Sequence, residues 1–384
     1  MRTGRSQSWI ILSAGAAFLL AGACSREVEW PGAGPEDSSD VIYVVAEGED
    51  GAAVRPVSAT GKAEAPDVTV DPASEVAVSP DGRFLLYGYD NALHEYELAT
   101  GADRVLASFP GGLAREKGTD ETGVAKTFVW RCGCRFRDIR FGPGGRVAFL
   151  VEPTECALAD EDPVSPAGEL MPRTAFVLDE GAYVVGPGAG EPEYLGPTRS
   201  IYGYPDEATL VLENRLTVAR YEFAGGTVTP LLPPDSHELG WLPPAVVSGN
   251  SLIAACSRAV EKSDQEIAVD IYVVKLDGSG RAAEPLLTFV GNAPATRVAA
   301  SPDGKYAAVE CSPQIFGKPY IVAVDVGGGD YKTLVEGGRL LRFGRGSGGV
   351  FYVAGSGVKG DVYLAGLDGR ARRLTETGDL LPSP

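Results

Sequence analysis

Short apolar runs recur along the chain, and each is closed by a turn signal. Glu75 to Val78 precedes Ser79-Pro80-Asp81-Gly82, and Arg83 to Tyr87 follows it. Arg297 to Ala300 precedes Ser301-Pro302-Asp303-Gly304, and Lys305 to Val309 follows it. Pro presets φ at a turn's first central residue, Asp bonds back to nearby amides, and Gly takes positive φ without a Cβ clash. Each stretch therefore predicts a tight hairpin. Leu93 to Leu98, a Thr100-Gly101 turn and Arg104 to Ala107 then complete four short strands in one unit. Looser copies follow: Phe141-Gly142-Pro143-Gly144-Gly145 before Val147–Val151, Tyr204-Pro205-Asp206-Glu207 before Thr209–Leu212, Ser248-Gly249-Asn250 before Ser251–Ala255, and Arg342-Phe343-Gly344 ahead of Val350–Val353. No amphipathic helix of useful length interrupts them, so the fold class is all-β.

Strand, Ser-Pro-Asp-Gly, strand, and then a third strand ending near Asp-Gly resembles the repeat of TolB-type (PD40) propellers, distant relatives of WD40 repeats. The resemblance runs from about Val41 to the C-terminus. It implies a single β-propeller of four-stranded blades occupying residues 41–384. Six first-to-second-strand turns are visible, near residues 79, 142, 204, 248, 301 and 344. The strand pair at 41–57 lacks a first strand of its own. The tail, Asp379-Leu380-Leu381-Pro382-Ser383-Pro384, matches the start of a unit. Supplying the missing inner strand from this tail closes the ring at seven blades and removes an open edge. Six blades, with the N-terminal strands as an outer addition, is the alternative.

Composition changes the picture mainly at the N-terminus. Arg2 and Arg5 form a positive region, Trp9 to Leu20 an apolar one of signal-peptide length, and Leu20-Ala21-Gly22-Ala23-Cys24 resembles a bacterial lipobox. The resemblance implies a lipoprotein signal peptide over residues 1–23, cleavage before Cys24, and lipid attachment at Cys24. Residues 24–40, with Pro31, Gly32, Gly34 and Pro35, read as a lipidated N-terminus and flexible linker. The address is then exported and lipid-anchored to the bacterial cell membrane or outer membrane. Removing Arg2 and Arg5 leaves 32 basic residues against 52 acidic ones, a formal charge of −20. Long-range repulsion disfavours nucleic acid and anionic lipid surfaces as general partners. The 50 glycines and 28 prolines suit many short strands joined by turns.

Residues suited to catalysis are scarce. The chain has two histidines, His94 and His237, too few for a His-rich metal centre. His94 alternates with apolar residues in a third strand and is expected to face solvent. His237 falls in a Pro-rich connection. The Gly-Ser-Gly stretches at 278–280 and 355–357 lack the strand-to-helix elbow of a hydrolase, and the Gly runs at 327–329 and 344–349 lack a following Lys-Ser/Thr. No metal or cofactor site is expected. The acidic run around Glu155, Asp160, Glu161 and Asp162 lacks the spacing of a Ca²⁺ loop.

Two constellations remain. In an exported protein, cysteines beyond the lipidated one are expected to pair. Cys156, Cys256 and Cys311 follow second strands, and Cys132 and Cys134 precede a first strand, which places all five on one rim. Cys256 and Cys311, equivalent positions in neighbouring units, could bridge; Cys156 could pair with Cys132 or Cys134. The insertions Pro110–Trp130 and Thr154–Pro172 belong to the same rim. Arg137, Arg199, Arg297 and Arg339 lie four or five residues ahead of their turns, at the mouth of the channel. They form either a candidate anion-binding site or a set of blade-to-blade ion pairs.

The reading that emerges is a monomeric, lipid-anchored cell-envelope propeller acting as a non-enzymatic binding or scaffold module for an envelope protein or peptide. The alternative is a propeller-type enzyme, a lyase or lactonase, or a binder of a small anionic ligand at the channel mouth.

Overall fold

A computed structural model describes residues 30–32, 41–48, 51–58, 68–70, 75–109, 112–119, 125–158, 171–172, 179–187, 190–214, 217–232, 243–260, 266–277, 284–313, 317–355, 360–376 and 380–381. Side chains are not described at 47, 48, 51, 112–132, 155–158, 171, 172, 380 and 381. The signal peptide, Cys24, His237 and the acids at 160–162 lie outside the described residues.

Seven sheets, antiparallel within their four blade strands, follow one another as blades 1 to 7, with strands counted from the channel outward. Blade 2 runs from Val76 to Ser108, blade 4 from Ile201 to Pro230, blade 5 from Ala245 to Gly291, blade 6 from Ala295 to Glu336, and blade 7 from Gly338 to Arg373. Blade 1 takes Val41–Gly48, Gly51–Ser58 and Thr69–Val70 from the start of the chain, and its inner strand is Leu380–Leu381 from the end. Val45 pairs with Leu381 and Ala46 with Leu380. This is the closure expected from the tail, and it settles the count at seven. The first-to-second-strand turns fall where the sequence puts them.

In the two Ser-Pro-Asp-Gly turns the serine is the hub. Ser79 Oγ donates to Asp81 Oδ1 at 2.6 Å and accepts the Phe84 N–H at 2.9 Å. Ser301 repeats this with Asp303 at 2.7 Å and Tyr306 at 2.9 Å. Ser301 is fully buried, so its hydroxyl needs these partners. Gly82 and Gly304 stand at φ of 73° and 70°, the region glycine enters without strain. The Ser79 hydroxyl and the Arg83 N–H, both donating to it, hold the Asp81 carboxyl below its usual range, and hydrogen bonds from Ser301 and Lys305 outweigh desolvation to do the same at Asp303.

The core lies between blades, in seven apolar clusters, one at each junction. Ile42, Val44 and Ala46 of blade 1 pack against Phe351, Val353 and Leu364 of blade 7, so the closing junction is as apolar as the others. Second strands are buried on both faces. Phe149, Leu210, Ile253, Val309 and Phe351 are each no more than 1% exposed, which accounts for their unbroken apolar runs.

Blade 3 departs from the pattern. Its first strand, Ala125–Phe141, is 17 residues long, where the other first strands counted from the N-terminal side of their turns have three to six. At about 3.3 Å per residue it spans about 55 Å, most of it beyond the ring. Gly112–Thr119 pairs along its N-terminal half, and Val147–Leu158 follows its C-terminal half as far as Trp130. Met171–Pro172 adds in parallel at the edge. The two insertions therefore join into a sheet-like arm on the rim opposite the Ser-Pro-Asp-Gly turns. Within the stretch expected as a linker, Trp30 packs on the cluster between blades 6 and 7.

Candidate functional site

First strands line the channel, and in blades 3, 4, 6 and 7 each carries a register shift against its second strand. A bulge turns a side chain out of the ladder and aims it at a neighbour. In blade 3 the shift spans Asp138, which holds φ at 48°. Asp138 Oδ2 accepts the Ile201 N–H of blade 4 at 2.9 Å. Glu75, at the entrance of blade 2, accepts the Ile139 N–H at 3.3 Å, and its other oxygen lies 3.1 Å from Arg140 Nη1. Arg140 also reaches Asp138 at 3.5 Å. Two carboxylates thus share one guanidinium. Burial pushes the Glu75 carboxyl above its usual range; Arg140 opposes this, Asp138 adds to it, and Arg297 of blade 6 also opposes it. Desolvation works against the Arg140 charge, yet the facing Glu75 and Asp138 hold its pKa up.

Similar contacts fasten other junctions. Glu310 of blade 6 accepts the Leu340 N–H at 2.7 Å, and Arg297 donates to the Leu340 carbonyl at 2.8 Å. Ser257 of blade 5 accepts the Ala295 N–H at 2.9 Å. Tyr202 donates to the Pro243 carbonyl at 3.1 Å, and Arg342 to the Val41 carbonyl at 3.1 Å. Buried side chains bonded to backbone fix how each blade sits on the next.

The four arginines singled out by their offset from the turns make different contacts. Arg137 pairs across the sheet with Glu152 at 3.0 Å, beside Arg135 at 2.6 Å on the other carboxylate oxygen. Arg199 offers its backbone N–H to Glu213 at 2.8 Å. Arg297 joins blade 6 to blade 7. Arg339 lies in the first strand of blade 7, opposite Val353. The arginine at the centre of the channel network is Arg140, which the offset rule passed over because it sits closer to its turn.

The cysteines also fall differently. All five lie inside strands, not in loops: Cys132 and Cys134 in Ala125–Phe141, Cys156 in Val147–Leu158, Cys256 in Ser251–Ala259 and Cys311 in Tyr306–Cys311. Cys256 packs in the junction between blades 4 and 5, Cys311 in that between blades 5 and 6. Their equivalence is the reason they stay apart: equivalent side chains point the same way round the ring, so Cys256 faces away from Cys311. Burial pushes the Cys311 thiol up to about 12. Cys134 is buried in the junction of blades 2 and 3. Cys132 stands opposite the register shift that contains Cys156, between the pairs Thr154↔Gly133 and Ala157↔Arg131.

His94 is not a solvent-facing residue. Its ring stacks on Tyr87 at 5.0 Å, and Nδ1 lies 3.2 Å from Asp103 Oδ2. Among the described residues no three of His, Cys, Asp and Glu form a metal-binding group.

The arm is what the sequence reading missed as structure. Its signal was present: Phe128, Trp130, Cys132, Cys134 and Phe136 alternate with Val129, Arg131, Gly133, Arg135 and Arg137, the period-two pattern of a strand. Beyond Val151, where the third strand of the blade stops, residues 152–158 have no partner strand on their outer side among the described residues. Pro153 lies in this stretch, a position that edge strands tolerate.

Neither a protein-family model nor a curated protein matches the sequence. Solved structures match the fold. The chain is similar to an oligogalacturonate lyase in complex with manganese, at 12% identity and a TM-score of 0.59, over 86% of each chain. It is similar to the oligogalacturonate lyase of Vibrio parahaemolyticus, at 12% identity and 0.51, over 88% of this chain and 89% of that one. TolB from Acinetobacter baumannii aligns at 16% identity and 0.48, over 90% of this chain, which spans 66% of that TolB. At these identities the likeness is one of fold.

Proposed function

We propose that the protein is an exported binding module, anchored through lipid on Cys24, that presents the arm-bearing rim of a rigid propeller to a protein or peptide of the cell envelope. The observation that carries this is the arm. A ring fastened at its junctions supplies a fixed base, and the 17-residue strand with its partners projects from it. Binding elements are commonly set on such a scaffold. The outer edge at 152–158 offers backbone N–H and C=O groups in the form that an extended peptide can take up by strand addition. Arg140 and Arg297 of the channel are committed to neighbouring blades. The net charge disfavours an acidic partner and favours a neutral or basic one.

Deleting residues 112–130 tests the reading. The deletion removes the hairpin half of the arm and leaves the ring portion of the strand. Co-purification from solubilised envelopes, repeated with the captured protein as bait, is expected to lose the partner while the melting temperature shifts by no more than a few degrees. A partner retained by the deleted protein rules the arm out as the binding element.

A further inference from the structure

The rim that carries the Ser-Pro-Asp-Gly turns holds a contact that a flexible linker would not make. Trp30 packs on the apolar cluster between blades 6 and 7. Its ring centroid lies 5.8 Å from that of Tyr306, the first residue after the 301–304 turn and its flanking Lys305. Lys332 Nζ stands 4.9 Å over the Trp30 ring, a cation–π contact. Two residues on, Gly32 lies against the loop between the third and fourth strands of blade 7, where an added Cβ would meet Asp368 Oδ2 at 3.1 Å. Tyr306 opens a second strand, Lys332 lies near the start of a fourth, and Asp368 sits in a third-to-fourth turn. All three positions belong to the same rim. Burial lowers the Lys332 pKa from its usual range, with Asp368 opposing the shift, as expected of an amine covered by the indole.

The position of this contact along the chain gives it meaning. Trp30 lies six residue steps beyond Cys24, and at about 3.3–3.6 Å each they reach at most about 22 Å. The chain then rejoins the ring at Val41, the start of a second strand and so again on this rim. The arm leaves from the opposite rim.

We propose that Trp30 pins the tether to the Ser-Pro-Asp-Gly rim, so that the lipid-anchored ring stands with this rim facing the bilayer and holds the arm away from it. This rests on the lipid anchor at Cys24 proposed above. The occupant of the facing surface is the lipid bilayer that holds the anchor, at a distance the short tether limits, and the partner of the arm is approached from the side away from the membrane. A tether that left Trp30 undocked would let the ring tumble through all orientations.

The test uses the full mature chain as recovered from bacterial envelopes, in liposomes of phosphatidylethanolamine and phosphatidylglycerol. A donor dye is placed through a clickable residue at position 305, on the turn rim, or at position 117, in the arm. Energy transfer to acceptor dyes on lipid headgroups is then compared. Transfer from 305 is expected to exceed transfer from 117 several-fold, and Trp30→Ala is expected to bring the two together while the ring still melts cooperatively. Lys332→Ala, a milder change to the same contact, is expected to shift the ratio part of the way. Equal transfer from the two positions of the wild-type chain, or greater transfer from 117, overturns the orientation. Wild-type protein that does not float with the liposomes overturns the anchor itself, and the orientation with it; flotation with equal transfer overturns the orientation alone.

Discussion

Truncation after Thr377 lowers the unfolding free energy by about 3 kcal/mol, the largest single effect expected in this chain. The removed segment contains Leu380 and Leu381, which pair with Ala46 and Val45 as the inner strand of blade 1. Each lost ladder hydrogen bond costs about 1 kcal/mol. The remainder comes from uncovering Val45 and Ala46, both 2% exposed in the closed ring. At about 2 °C per kcal/mol for a chain of this size, the melting temperature falls by about 6 °C. The truncated chain also presents an unpaired edge at the channel, so it is expected to associate more readily in light scattering. A tail that merely lay on the surface would be lost with neither effect.

The second large effect concerns Arg140. Its partners are Glu75, across the junction of blades 2 and 3, and Asp138, two residues back on its own strand. Removing one member of a buried pair costs about 3–5 kcal/mol when the site is dry. The channel leaves 34% of the Arg140 side chain accessible, and the cost of Arg140→Met is accordingly about 2–3 kcal/mol. The pH dependence identifies the cause. Glu75 already has a raised pKa in the folded chain, chiefly from desolvation, and without Arg140 it rises further. A carboxyl whose folded pKa exceeds its unfolded value binds more protons when folded, so stability falls as pH rises from the ordinary carboxylate range to the raised value. The deficit of Arg140→Met is therefore small in acid, where Glu75 is protonated, and grows toward neutral pH. The double variant Glu75→Gln/Arg140→Met loses that pH dependence and regains much of the stability. Denaturant unfolding at a series of pH values reads both outcomes; a deficit independent of pH would trace the loss to packing.

Local chemistry was legible in the sequence, and contacts between distant residues were not. Ser-Pro-Asp-Gly announces its hairpin because every residue in it serves the turn, and the tail announces closure because it repeats the start of a unit. Glu75 and Arg140 lie 65 positions apart, and no local pattern says that they meet. The arginines chosen by counting from the turns missed Arg140 because a bulge, not a fixed offset, selects which side chain enters the channel. Cys256 and Cys311 occupy equivalent positions, and in a ring equivalent side chains face the same way round. Trp30 read as part of a flexible stretch because its neighbours are Pro, Gly and acids; the apolar cluster it covers is built by blades 6 and 7. The alternation from Phe128 to Arg137 is legible as a strand, but nothing local says which segments pair along its two sides.

The arm, held on the rim away from the tether, is the proposed binding element for the partner. Site-specific photo-crosslinking in intact cells tests it most directly, with the photoreactive residue at position 117 in the arm or at position 305 on the turn rim. One discrete adduct from 117, absent from 305, is the predicted result. An adduct from 305 with none from 117 would contradict it.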